Sequence, residues 1–299
     1  MLKVFNQKRN AKMIPLTFTL LVYGGWLLSQ GPSAAFANFV AQISVALTML
    51  VGSFVAGGTA LGGGAVAFPV MTKLLAIEPA TAKVFSLAIQ SFGMTAAALT
   101  IIFSGIRFYS DVVWRALLGA VPGVLISLIF IAEHLPRLTT KTVFSLFLLL
   151  FSLTLLRLHF THKGFKESIH LPKPYLITIV GFVGGIASGL VGSGADIMVF
   201  ALMVLFYKKE LKAATATSVI IMAVTSIVGS ICNAVYLQSI TPEISAYLLA
   251  AIPVVVVGAP LGAYVCARVR SGTLLSFLLL LIVLEVGFTA LEWVKLPII

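Results

Sequence analysis

Residues 174–207 read PYLITIVGFVGGIASGLVGSGADIMVFALMVLFY. An apolar run over 174–191 is interrupted at Gly192-Ser193-Gly194-Ala195-Asp196, and a second, shorter apolar run follows over 197–207. At 1.5 Å of rise per residue, the first run can cross a hydrocarbon core of about 30 Å as a helix, and the second cannot. The pattern predicts a helix that enters a bilayer, breaks at the glycines, and is followed by one short arm of a hairpin turning inside the membrane.

The same signature stands upstream. Gly62-Gly63-Gly64-Ala65 precedes Gly192-Ser193-Gly194-Ala195 by 130 positions and is followed by another short segment, 64–76. Ala82-Lys83-Val84-Phe85-Ser86 matches Ala214-Thr215-Ala216-Thr217-Ser218, 132 positions later. Ala120-Val121-Pro122 matches Ala251-Ile252-Pro253, 131 positions later. Three matches in one order, at nearly one spacing, describe an internal repeat.

Helical segments are predicted at 38–61, 64–76, 81–103, 112–131 and 138–158, then at 174–191, 196–207, 213–236, 244–267 and 271–293. Each half has five, and an odd repeat enters the membrane from opposite sides in its two copies. The fold expected is therefore all-α and polytopic: two inverted five-segment repeats with short broken helices, at 38–160 and 174–299, joined by a polar loop at 161–173. Pro122, Pro253 and Pro260 fall inside spans, where neighbouring helices compensate for the lost backbone bond.

Composition agrees. Of 299 residues, 60% are hydrophobic and 10% charged, against about 25% charged in soluble domains, so lipid is the solvent for most of this surface. The net charge of +11 belongs to loops that fix orientation rather than to a nucleic-acid surface. With the N-terminus in the cytoplasm, only Lys73, Lys83, Arg137, Lys141 and Lys295 fall on the other face. Cys232 and Cys266 lie in apolar segments without a CxxC pair, and the four His are scattered singly. No zinc site, disulfide framework, cofactor or metalloenzyme motif follows.

Ahead of the repeat, Lys3, Lys8, Arg9 and Lys12 precede an apolar stretch ending at Ala35-Phe36-Ala37. Residues 1–37 read equally as a cleavable signal peptide or as an extra transmembrane helix.

Inverted repeats with interrupted segments point to a secondary transporter whose solute site lies between the two breaks. Gly62, Gly63 and Gly64, and Gly192, Ser193 and Gly194, are candidates for the site, because a glycine turn before a helix N-terminus frees amides for an anion. Close helix packing through small residues is the plainer alternative. Ser86, Thr217 and Ser218 are candidate hydroxyl donors, unless they cap a helix as Thr215 is placed to do. Gln90, one turn beyond Ser86, and Asn233 are uncharged polar groups deep in spans. Asp196 is an acid in an apolar stretch, a functional-site hypothesis for such a residue. It fits a coupling proton, a cation, or a cap for the helix at Ile197. Glu285 is the other deep acid.

These residues carry a resemblance. Gly62-Gly63-Gly64 with Pro69 beyond, Pro79 and Ala82 ahead of Ser86, and Ser188-Gly189-Leu190 leading into Gly192-Ser193-Gly194 and Ala214–Ser218 resemble the sulfite exporter TauE/SafE family, over about residues 40–290. The resemblance implies an all-helical permease with two homologous halves, moving sulfite, sulfonates or related organosulfur anions with the proton gradient. The sequence departs from that pattern at Ser193, at Val199 where a second Pro is expected, at Phe85 beside Ser86, and at Asp196.

The expectation is a multi-pass protein of the inner (plasma) membrane that carries a small anion by alternating access, with the bilayer as its other partner and a homodimer left open. A carrier of another solute or a cation, and a passive channel, are the alternatives. An intramembrane enzyme finds no nucleophile–base pair.

Overall fold

The structure is a computed structural model that describes residues 13–59, 71–72, 75, 77–132, 149, 152, 173–269, 272–273, 276, 279–280, 283 and 287. Within these residues the chain is helical, with no strand. The helices are α1 (Met13–Gln30), α2 (Pro32–Ala41), α3 (Ile43–Gly58), α4 (Pro79–Phe103), α5 (Ser110–Ile126), α6 (Pro174–Val191), α7 (Ala195–Ala201), α8 (Leu211–Ile231) and α9 (Pro242–Cys266). Three continue into π-helical turns: α5 through Ser127–Ile131, α7 through Leu202–Phe206, and α8 through Cys232–Tyr236.

Six helical stretches among the described residues are long and apolar enough to cross a membrane: α1, α4, α5 with its π turn, α6, α8 with its π turn, and α9. The protein is thus an all-α polytopic membrane protein. The segments expected at 81–103, 112–131, 174–191, 213–236 and 244–267 each coincide with one of these. Those expected at 64–76, 138–158 and 271–293 lie largely or partly outside the described residues, as do the loop at 161–173 and the turn Gly62-Gly63-Gly64.

One expected segment is divided. The stretch 38–61 is not a single helix, because α2 and α3 meet at an 84° bend. Gln42 leaves helical geometry there, at φ −109° and ψ 29°. Four residues earlier, the Asn38 side-chain amide donates to the Ala246 carbonyl at 3.0 Å, fixing α2 against α9.

Two glycine-lined crossings hold the bundle. α5 lies on α6 with Gly119 against the Thr178 carbonyl, Gly123 against that of Phe182, Gly181 against that of Ala116 and Gly185 against that of Ala120. α3 lies on α9 in the same manner, with Gly57 against Ala259 and Gly262 against Phe54. A Cβ at any of these positions would run into backbone. Lipid tails give no hydrophobic reason for two helices to associate, so close backbone approach through small residues supplies the van der Waals contact instead.

Helix α4 is the most enclosed. It packs between α9 and α8, and α8 also packs on α5. Outward-facing Leu20, Leu28, Trp114, Leu118 and Phe206 are more than half exposed, as expected of a lipid-facing surface.

One end of the bundle gathers the basic loops. Arg107 pairs with Glu210 at 3.0 Å. Lys212 Nζ donates to the Ala267 carbonyl at 3.1 Å, and the Lys173 amide donates to Tyr207 Oη at 3.3 Å. The loops around 107, 173, 207–212 and 267 therefore share one face.

Candidate functional site

The last contact also defines the path of residues 173–207. α6 leaves the basic end at Lys173 and stops at Val191. The chain turns through Gly192, whose φ of +89° is left-handed and is strained for any residue with a Cβ. It then doubles back: Ala195 lies against Gly184, two turns down α6. By Tyr207 it is again beside Lys173. This is the hairpin expected from the short second run.

The turn is closed from within. The Gly192 amide donates to the Ser188 carbonyl at 2.8 Å, and the Ala195 amide donates to Ser188 Oγ at 2.9 Å. The Gly194 amide donates to Asp196 Oδ1 at 2.8 Å, and the Ser193 hydroxyl lies 3.3 Å from Oδ2. The residue preceding α7 is Gly194, so Asp196 sits inside the first turn rather than ahead of it. Its carboxylate occupies the position that an incoming anion was expected to take. It is 2% exposed.

Helix α4 meets this turn with Ser86 and Gln90. Gln90 Nε2 donates to Ser86 Oγ at 2.6 Å and to the Gly192 carbonyl at 3.3 Å. A carbonyl can only accept, so this contact fixes the amide orientation and leaves Gln90 Oε1 pointing elsewhere. Ser86, Gln90, Gly192, Ser193, Gly194 and Asp196 thus form one buried polar cluster, placed where α6 breaks.

Three buried polar atoms near this cluster have no hydrogen-bond partner among the described residues: Gln90 Oε1, Ser127 Oγ and Asn233 Nδ2. All three side chains are at most 3% exposed. Buried polar atoms are nearly always paired, so each orphan calls for a reason. Ser127 lies against Gly189, in the last turn of α6. Ser127 and Asn233 both stand on π turns, a distortion found often at functional sites. Leu128 and Cys232, their chain neighbours, share one small apolar cluster with Leu87 of α4 and Val124. Gln90 and Ser127 thus flank the end of α6, and Asn233 stands on the π turn that continues α8.

The other expected residues are placed differently. Thr217 Oγ1 donates to the Ala213 carbonyl at 2.7 Å and accepts from the Tyr109 amide at 2.9 Å. Its hydroxyl ties α8 to the loop before α5, near the basic end. Ser218 Oγ donates to the Thr215 carbonyl at 2.8 Å. Thr215 does not cap: α8 begins a turn earlier, at Leu211, and Thr215 Oγ1 donates to the Leu211 carbonyl at 2.9 Å. Gly62, Gly63 and Gly64 lie outside the described residues, as does Glu285. Ser127 is the residue that reasoning from sequence missed.

A cavity of about 220 Å³ lies elsewhere, lined by Phe54, Val55, Gly58, Val265, Cys266 and Val269. Its walls are apolar and hold none of the polar cluster, so we assign it no part in the chemistry. No group of His, Cys, Asp and Glu among the described residues is arranged to hold a metal ion.

Comparison with known proteins agrees with this architecture. Residues 43–288 match the model of the family described as Sulfite exporter TauE/SafE. The chain is 26% identical over 269 residues to the protein of Bacillus subtilis (strain 168) named "Probable membrane transporter protein YunE", covering 81% of this chain and 94% of that one. No solved structure matches.

Proposed function

The chain belongs to the sulfite exporter TauE/SafE family and is a membrane transporter; from that premise we propose that it carries a small sulfur oxyanion, sulfite or a short sulfonate, coupled to a proton. The observation that carries this reading is the buried polar cluster at the break in α6, with the unpartnered Gln90 Oε1 in it and the unpartnered Ser127 hydroxyl against the last turn of α6. Asn233 Nδ2 and the Ser127 hydroxyl are donors suited to anionic oxygens. A solute that pairs with them removes the cost of leaving them unmet.

Asp196 supplies the coupling. Ionised, it repels an anion across a low-dielectric site. Protonated, it loses that charge and gains an O–H donor. Anion and proton then bind together, each favouring the other, which is the linkage that a coupled carrier needs. An inverted repeat, as expected from the sequence, would centre alternating access on this point. The two glycine-lined crossings, α3 on α9 and α5 on α6, are the rigid pairs whose relative rocking would expose the site to one side and then the other.

A cation reading has one observation in its favour: the Asp196 carboxylate and the Ser193 hydroxyl beside it are oxygen ligands of the kind hard cations take.

Thermal-shift measurements on the purified protein separate the two. Sulfite or a sulfonate is expected to raise the melting temperature, and more at lower pH, because a specific ligand stabilises the state it binds. A shift with sodium alone, and none with any sulfur oxyanion, would favour the cation.

A further inference from the structure

Helix α9 contains Pro253 and Pro260. Proline has no N–H, so the carbonyl four residues before each loses its helical partner. Those carbonyls are Leu249 and Val256. Inside a bilayer such groups must be met by other protein groups.

The N-terminal helix meets the first and approaches the second. Trp26 Nε1 donates to the Leu249 carbonyl at 2.5 Å. Thr19 Oγ1 donates its one proton to the Pro15 carbonyl at 3.0 Å and lies 3.5 Å from the Val256 carbonyl. Between them, Tyr23 Oη donates to the carbonyl of Pro253 itself at 2.6 Å. Beyond α1, Asn38 Nδ2 donates to the Ala246 carbonyl at 3.0 Å. Donors 23, 26 and 38 meet acceptors 253, 249 and 246, so α1 and α2 lace antiparallel along one face of α9.

The packing has the same polarity. Phe18, Val22, Tyr23 and Trp26 pack against the core that contains Leu248, Ile252, Val255 and Val256. Leu16, Leu20, Leu21 and Leu28 face outward. α9 also touches α4, with Val255 and Ala259 against Gly93, one turn below Gln90, and α1 touches α4 directly as well. The family match starts at residue 43, after α1 and α2.

We propose that α1 is retained as a transmembrane helix, not removed as a signal peptide, and that Trp26 is a positioning residue for transport. It acts through α9: by occupying the proline-freed Leu249 carbonyl, with Tyr23 on the Pro253 carbonyl, it holds α9 in the shape that keeps Gln90 and Ser86 facing the break in α6. The transport part rests on the carrier reading above; the retention and the lacing do not.

Two measurements test this. The first is the intact mass of full-length protein purified from membranes. It is expected to include α1, and a product starting near Asn38 overturns the proposal. The second is a mutant cycle. Trp26→Phe removes the N–H and keeps a ring. Pro253→Leu returns to α9 the N–H that Leu249 lacks. Trp26→Phe is expected to cut the maximal uptake rate at least fivefold with unchanged KM. In the Pro253→Leu background it is expected to cost little. Equal losses from Trp26→Phe in both backgrounds would overturn the lacing. The same cycle read as melting temperature decides the matter if a variant folds poorly or if sulfite is not the solute.

Discussion

Asp196 is held through the Gly194 amide and beside the Ser193 hydroxyl, and an asparagine there keeps an oxygen for the Gly194 amide. Asp196→Asn mimics the protonated acid in shape and charge. The variant is expected to bind sulfite in the melting assay while its uptake no longer responds to an imposed pH difference. Full proton-driven uptake by the variant would make Asp196 structural. Gln90→Leu removes the donor to the Gly192 carbonyl and Ser86 Oγ together with one orphan acceptor. Losing the partner of a buried polar group costs about 1–3 kcal/mol, so KM is expected to rise roughly 5- to 150-fold. An unchanged KM would remove Gln90 from the site. At this scale the sequence was only partly legible. Asp196, Gln90 and Ser86 stand out because polar groups are rare in apolar runs. Ser127 did not, because a single serine in a span usually bonds its own helix, and whether it does depends on what packs beside it. Thr217 looked like a donor until its contact with the Tyr109 amide, 108 residues away, placed its hydroxyl elsewhere.

Among the elements, the long spans were readable because their apolar runs match the bilayer and end at charged loops. The hairpin was readable because residues 197–207 are too few to cross. The bend between α2 and α3 was not: Gln42 carries no glycine or proline signal, and the anchor at Asn38 is a tertiary contact with Ala246. The glycine crossings lead to a direct prediction. Gly185→Leu sets a side chain against the Ala120 backbone, and overpacking of this kind costs about 1–3 kcal/mol or more. A clear drop in melting temperature is expected. Gly25→Ala, with nothing within 4 Å of the added carbon, is expected to stay within about 0.5 kcal/mol of the parent. Equal tolerance of both changes would contradict the packing described for α5 and α6.

For the whole molecule, the basic end formed by Arg107, Lys173, Lys212 and Arg268 is expected to face the cytoplasm, following the positive-inside rule. In intact cells, a membrane-impermeant thiol reagent should label Ser239→Cys and spare Lys208→Cys; the native Cys232 and Cys266 are buried and add little background. The reverse pattern would invert the molecule and with it the direction of coupling. The deepest dependence is that a small polar solute, accompanied by a proton, passes the buried cluster where α6 breaks. Uptake of labelled sulfite or a short sulfonate by purified protein in liposomes measures that most directly. Uptake above that of empty liposomes, accelerated by an inside-alkaline pH difference, is expected. Uptake no greater than that of empty liposomes, across a panel of sulfur oxyanions, would contradict it.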